Sequence, residues 1–296
     1  MKQPIIYALG FFDGVHLGHQ ALLKACRELA DQYGFRAGVV TFGNHPDGLV
    51  QGNAPRLINS LSDRKRLLEE FHMDALVELP FDEALRSMSW LDFLLMLCHE
   101  YGANGVVCGA DFRFGHRGGG TAELLQEYCQ TEWLPYAIVP EQKLGDVTVS
   151  STHIRRLLEA GAVEEAGRFL GHPHILSGEV VSGRQLGRTI GIPTANLILP
   201  PELLCPKHGV YACVAEVDGK RYAAVTNIGS RPTVGGHRVT VEPWLLDFAG
   251  DLYGKKLRLE LHAFLREERK FGSLEELKTA ILENEQQTRT LLRNVM

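Results

Sequence analysis

The chain has 296 residues, 45% of them hydrophobic, and carries 31 Lys and Arg against 36 Asp and Glu, a net charge of −5. That length accommodates two domains of ordinary size, and the charge balance lacks the basic footprint of a nucleic-acid binder. No apolar run approaches the ~18 residues of a spanning helix, and no basic leader precedes an apolar segment, so a soluble, cytoplasmic protein with neither a membrane nor a nucleic acid as partner is expected. The first half alternates short apolar strands with amphipathic helices. The apolar run Ile5–Leu9 is the first predicted strand. A glycine-rich turn, Gly10-Phe11-Phe12-Asp13-Gly14-Val15-His16-Leu17-Gly18-His19, follows it, and then a helix over Gln20–Tyr33 with Leu22, Leu23, Cys26, Leu29, Ala30 and Tyr33 on one face. Further strands are predicted at Ala37–Phe42, Ala75–Leu79, Gly105–Cys108 and Tyr136–Val139. One helix starts near Ser89, where Ser89 and Asp92 have capping-box spacing, and another at Thr121. This alternation predicts an α/β, Rossmann-like domain with a parallel sheet. A strand-like stretch, Asp146–Val149, leads into a helix over Thr152–Ala160, and a second helix spans Ala162–Leu170.

The pattern changes at His172-Pro173-His174, which sets the expected boundary between a domain of residues 1–172 and one of residues 173–296. Beyond it, Val210–Val217 and Lys220–Val225 flank Asp218-Gly219, a strong hairpin signal. Val239–Phe248 reads as another strand. Leu257, Leu259 and Leu261 alternate with polar residues, as in a half-buried strand. Ser273-Leu274-Glu275-Glu276 opens a terminal α-helix containing Leu277, Ile281 and Leu291. The second domain is therefore expected to be a small β-barrel with a terminal α-helix. The six cysteines form no C-x-x-C pair and lie mostly in apolar runs, so buried free thiols are expected. Nothing in the sequence assigns an oligomeric state.

His16 and His19 sit on the first strand-to-helix turn, where open α/β sheets bind ligands and where helix N–H groups favour an anion. Two imidazoles facing an anion suggest phosphate chemistry. Taken alone, the pair could instead be zinc ligands, although no Cys/His cluster adjoins them to complete a site, or ordinary turn residues. Ser150-Ser151-Thr152-His153-Ile154-Arg155 adds hydroxyls and an arginine at a second helix start, a pocket suited to a polyphosphate; Ser151 or Thr152 as a plain N-cap is the simpler reading.

Together, the first turn and Ser150-Ser151-Thr152-x-Ile154-Arg155 resemble the signature of the HxGH nucleotidyltransferases, and more narrowly the adenylyltransferase module of bacterial FAD synthetases. Thr41-Phe42 with His45-Pro46 is similar to that module's second loop, and Gly109-x-Asp111-Phe112-Arg113-Phe114-Gly115 to its flavin-side loop. Gly43-Asn44 stands where the family usually has Asp-Pro. The resemblance implies transfer of an adenylyl group from ATP to FMN, giving FAD and pyrophosphate. It implies that His16 and His19 hold the α-phosphate and the transition state, and that Ser151 and Arg155 hold the β- and γ-phosphates. Gly14, Gly18, His45 and Thr152 would bind nucleotide, with Asp111 and Phe112 on the flavin side.

The glycine-rich segment from Gly183 to Asn196 superficially resembles a P-loop. Its Gly183-to-Gly187 spacing is one residue short, Arg188 replaces the lysine, and β pattern follows. Gly191-x-Pro193-Thr194-Ala195-Asn196, Gly209-Val210-Tyr211-Ala212, Asn227-Ile228-Gly229, Glu242 and Phe264-Leu265-Arg266-Glu267-Glu268 instead resemble, in order and spacing, the riboflavin kinase barrel. That resemblance implies phosphorylation of riboflavin by ATP to FMN. Glu242 would be the base and Thr194 and Asn196 the Mg2+ and phosphate ligands. Gly183, Gly187, Arg188 and Gly191 would bind the ATP phosphates, and Asn227 and Arg266 the flavin. Pro243 follows the glutamate directly. Proline lacks a ladder donor, so an edge or a bulge that re-aims Glu242 is expected there. The expected ligands are thus ATP, riboflavin, FMN, FAD and Mg2+. A single-activity enzyme of the same fold and a flavin-binding sensor are the other readings.

Overall fold

A computed structural model describes residues 3–45, 48, 54–182, 191–233 and 236–296. By contacts the chain divides into two units, Met1–Leu57 with Arg64–Ser150, and Ile58–Asp63 with Ser151–Met296.

The first unit is built on five parallel strands in the order β3-β2-β1-β4-β5: β1 (Ile5–Leu9), β2 (Arg36–Phe42), β3 (Ala75–Leu79), β4 (Ala103–Gly109) and β5 (Tyr136–Val139). β1 is buried along its whole length, as a central parallel strand covered on both faces must be. It is hydrogen-bonded to β2 on one side and β4 on the other, so the chain leaves β1 at the point where the strand order reverses. A reversal of strand order of this kind is where open α/β sheets bind ligands, outside the carboxyl ends of the strands. α1 (Leu17–Tyr33) begins three residues before the expected Gln20, so His19 falls within its first turn. It buries Leu22, Leu23, Cys26 and Ala30 against the sheet and ends at Gly34 (φ 67°), a left-handed cap. α2 (Leu61–Glu69) and α3 (Glu83–Ser87) were not expected. α4 (Trp90–His99) and α5 (Ala122–Thr131) start at their expected caps, Ser89 and Thr121. A two-residue hairpin pair, β6 (Lys143–Leu144) and β7 (Val147–Thr148), closes the unit.

After Ile58–Asp63, the second unit continues with α6 (Ser151–Ala160) and α7 (Val163–Leu170), followed by a closed barrel in the order β10-β11-β12-β9-β8-β13. Its strands are β8 (His174–Val181), β9 (Asn196–Ile198), β10 (Gly209–Val217), β11 (Lys220–Thr233), β12 (Gly236–Leu245) and β13 (Lys256–Arg266). Asp218 (φ 50°) and Gly219 (φ 73°) both take positive φ, as the tight β10–β11 hairpin requires. Leu257, Leu259 and Leu261 point into the barrel, as their alternation predicted. β10 does not alternate: eight of its nine residues are buried. Its outer face lies under the terminal helix α8 (Leu274–Leu291), which packs on β10 and β11. All six cysteines are free; four are buried, and burial pushes the Cys213 thiol up to about 12, so these sulfurs are inert packing atoms.

Candidate active sites

The loop after β1 uses backbone conformations that L-residues rarely adopt. Phe12 (φ 57°), Gly14 (φ 85°) and Val15 (φ 42°) are all left-handed. For a buried, β-branched valine this is strain, and strain persists where the surroundings over-determine it, commonly at functional loops. The Val15 N–H donates to Phe12 O at 3.1 Å, and Gln20 Nε2 donates to Val15 O at 2.9 Å. The turn delivers His16 to the N-cap of α1, where its Nδ1 accepts from the His19 N–H at 3.3 Å. Nδ1 therefore carries no proton, and a neutral ring presents Nε2–H as a donor. The His16 and His19 rings stack, with centroids 3.6 Å apart at 13°. Gly18 permits this arrangement, because a Cβ there would lie 3.2 Å from the His16 ring. Burial, then His16, then Arg64 hold the His19 pKa well below its ordinary value. Its Nδ1 is buried and has no hydrogen-bond partner among the described residues. The result is a pair of imidazoles, His19 held neutral, at a helix N-terminus, arranged to receive an anion whose charge would favour their protonated forms.

The second loop, after β2, brings His45 against this one: its ring meets Phe11 edge-on, with centroids 4.6 Å apart. Pro46 lies outside the described residues. Asn44, at the departure from the family's Asp-Pro, forms a closed pair with the Phe81 peptide. Its Nδ2 donates to Phe81 O and its Oδ1 accepts from Phe81 N–H, both at 2.9 Å. The loop after β4 carries Asp111, exposed, and Phe112, whose ring stacks on Phe114 at 5.5 Å. It leaves the sheet on the other side of the switch point from the His16 loop.

In the second unit, Ser151 and Arg155 are one turn apart on α6, on the same half-buried face, while Thr152 is exposed. His153 packs edge-on against Phe169, with centroids 4.6 Å apart.

On the barrel, Glu242 stands directly opposite Asn227 in the β11–β12 ladder. On the other side of β12, Val241 pairs with Leu197, and the Ala195 N–H donates to Pro243 O at 2.9 Å. Val241 and Leu197 face the buried interior, so alternation puts Asn196, Asn227 and Glu242 together on the outer face of three adjacent strands. Thr194 lies just before β9, half-buried. The expected bulge at Pro243 is absent: the register from Ala224↔Leu245 to Thr233↔Gly236 runs without a shift, and Pro243 sits inside a strand paired on both sides. Its carbonyl still serves the ladder, so the proline does not turn Glu242 away from Asn227. Asn227 also donates through Nδ2 to Glu268 Oε1 at 3.2 Å, a carboxylate the motif contained but the reading left without a role. Arg266 is drawn toward the terminal helix instead, with Nε donating to Asn284 Oδ1 at 3.0 Å and the guanidinium 5.5 Å from the Phe271 ring. Gly191 takes a left-handed φ of 78°; Gly183, Gly187 and Arg188 lie outside the described residues.

Sequence reasoning missed Arg64. It belongs to Asp63-Arg64-Lys65-Arg66, which reads as a solvated charge run, yet it is fully buried. The available signal was spacing: Arg64 falls three and four residues before Leu67 and Leu68, on the apolar face of α2.

The family model described as FAD synthetase matches residues 1–153, and the one described as riboflavin kinase matches residues 170–292. The chain is 33% identical over 290 residues to a bifunctional riboflavin kinase/FMN adenylyltransferase of Listeria monocytogenes, covering 96% of this chain and 91% of that one. It is 36% identical over 287 residues to the protein of the same description from Escherichia coli K12, covering 96% and 91%. A solved structure from Streptococcus pneumoniae, described as a macrolide-efflux protein, matches with a TM-score of 0.89 at 31% identity over 98% of this chain and 95% of that one. Among the described residues, no helix is long and apolar enough to cross a membrane. With both modules matched in the same order along nearly the whole length, the chain belongs to the bifunctional riboflavin kinase/FMN adenylyltransferase family.

Proposed function

We infer that this protein phosphorylates riboflavin with ATP to FMN on the barrel and adenylylates FMN with a second ATP to FAD and pyrophosphate in the N-terminal module. The observation that carries this reading is that one chain holds both side-chain sets: the stacked His16–His19 pair at the switch point, and Glu242 opposite Asn227 with Asn196 alongside.

In adenylyl transfer, an FMN phosphate oxygen attacks the α-phosphorus of ATP and pyrophosphate leaves. Charge spreads over the transferring oxygens, so the protein contributes positioning and electrostatic stabilisation. The Nε2–H of His16 and the His19 ring are the proposed donors to the α-phosphate, with Gly14 and Gly18 allowing close approach. Ser151, Thr152 and Arg155 are the proposed partners of the β- and γ-phosphates, and His45 of the nucleotide. Asp111 and Phe112 line the flavin side. The adenylyltransferase module accordingly runs to residue 172, past the division of compact units at Ser150, because Ser151 and Arg155 belong to its motif; residues 173–296 form the kinase module.

In the kinase, Glu242 is the proposed base that takes the proton of the ribityl hydroxyl, and Asn227 orients its carboxylate. The oxygen-bearing pair Thr194 and Asn196, beside Glu242, suits a hard cation that also binds phosphates and water. Bound Mg2+ would neutralise phosphate charge there. Gly183, Gly187, Arg188 and Gly191 are assigned to the ATP phosphates, and Arg266 to the flavin. A cytoplasmic location accords with ATP and free thiols.

The test is a product time course. Purified protein given riboflavin, excess ATP and Mg2+ is expected to yield FMN first and FAD later by chromatography. FMN that accumulates without FAD means a kinase alone, and flavin binding without ATP turnover means a sensor.

A further inference from the structure

Arg64 is fully buried, a position that charged side chains take only when something holds them there. What holds it is the ends of two strands. Nη1 donates to Phe11 O at 2.7 Å and to Phe42 O at 3.2 Å, with Thr41 Oγ1 at 3.4 Å. Phe11 begins the turn that leads to His16 and His19, and Phe42 is the last residue of β2, before the loop that carries His45. One cation thus ties together the points where both loops leave adjacent parallel strands. Thr41 Oγ1 donates to the same Phe11 carbonyl at 2.9 Å. The guanidinium lies 4.5 Å from the Phe11 ring, and His45 meets that ring from its own loop.

The arrangement is costly. Nε and Nη2 of Arg64 have no hydrogen-bond partner among the described residues, and desolvation of the cation is offset by Asp13 and Glu78 only at longer range. An apolar side chain would fill the volume more cheaply, so the charge and the forked donor geometry need a reason beyond packing. We propose that Arg64 is a positioning residue of the adenylyl-transfer site, fixing the relative placement of the loops that carry His16, His19 and His45. This rests on the adenylyl-transfer reading of that site. Arg64 does not touch substrate in this role; it acts through Phe11 and Phe42.

Full-length Arg64→Met and Arg64→Lys are to be compared with wild type in FMN adenylylation, resolved into kcat and KM, and in riboflavin phosphorylation. Because small misplacements of reacting groups cost up to about 100-fold in rate, Arg64→Met should lower kcat for FAD formation by at least about tenfold. KM should stay within about threefold, and riboflavin phosphorylation within about twofold. Lysine keeps the charge but not the fork, so Arg64→Lys should fall between Met and wild type, about threefold or more below wild type. A folded Arg64→Met with wild-type kcat, a loss confined to KM, or Arg64→Lys equal to wild type overturns the proposal. Should Arg64→Met fail to fold by circular dichroism, the kcat of Arg64→Lys alone decides. A wild type that makes no FAD from FMN and ATP overturns the adenylyl-transfer reading and this proposal with it; a wild type that makes FAD while both variants keep its kcat overturns this proposal alone.

Discussion

Among the described residues, burial holds the pKa of two histidines, His19 and His174, well below the ordinary value, and only His19 belongs to the proposed adenylyl-transfer site. His19 stacks on His16 at a helix start, where the proposed function places a phosphate whose charge would offset its burial. His174, at the start of β8, is fully buried, and neither ring nitrogen has a hydrogen-bond partner among the described residues. Burial, with His172 nearby, lowers its pKa from 6.5 to about 3. The unfolded chain would bind that proton near 6.5, and the folded barrel refuses it. The stability this gives is therefore fully present above about 6.5 and is lost progressively as pH falls toward about 3. Each pKa unit is worth about 1.4 kcal/mol, so His174 should contribute to the acid sensitivity of the barrel. His174→Leu should flatten that dependence: the urea midpoint of the barrel's transition should fall less between pH 7 and pH 4.5 than in wild type. Parallel curves for variant and wild type would show that His174 is not the acid-sensitive group.

At the scale of elements, the segments the sequence disclosed are those whose signals are local. The caps Ser89, Thr121 and Ser273, the Asp218-Gly219 turn and the period-two leucines of β13 each specify their neighbours within a few residues, and each element formed as read. What stayed hidden depends on distant partners. β10 shows no alternation because α8 covers its outer face, and β11 runs on to Thr233 because β12 pairs with it throughout. α2 was masked by a charge run in which Asp63 and Arg64 are both buried, and Arg64 answers to the ends of β1 and β2. The same distinction governs the sites. The His16–His19 turn is contiguous and was legible, whereas the convergence of Asn196, Asn227 and Glu242 needed three strands in register. The second loop shows how an element can absorb a departure from its family. Asn44 replaces a stiff Asp-Pro turn with two hydrogen bonds to the Phe81 peptide, which hold the loop from outside. Asn44→Ala should cost about 1 kcal/mol or less in stability, since the pair is exposed. It should raise KM for ATP in FAD formation severalfold, because the loop bearing His45 loses its outer anchor while Arg64 still holds its base at Phe42, with kcat for riboflavin phosphorylation unchanged. An unchanged KM would mean that the loop is held by other contacts.

Across the whole molecule, the two side-chain sets sit on different supports. The stacked histidines depend on a parallel sheet and the N-terminus of α1, and Glu242 depends on an antiparallel barrel ladder. Neither set borrows a fold element from the other, so the two reactions should separate cleanly in full-length variants. His19→Ala removes a proposed donor to the α-phosphate and should lower FAD formation from FMN by about 100-fold or more, with riboflavin phosphorylation within twofold of wild type. Glu242→Ala removes the proposed base and should lower riboflavin phosphorylation by about 100-fold or more while supplied FMN is still adenylylated. The decisive arm mixes the two variants. FMN is the product of one reaction and a substrate of the other, so if it is released, equal amounts of His19→Ala and Glu242→Ala, given riboflavin and ATP, should together make FAD that neither makes alone. Each variant losing both activities while its circular dichroism stays native would sink the division of labour. Two variants that keep their separate activities yet fail to complement would show instead that FMN reaches the adenylyl-transfer site only within the chain that made it.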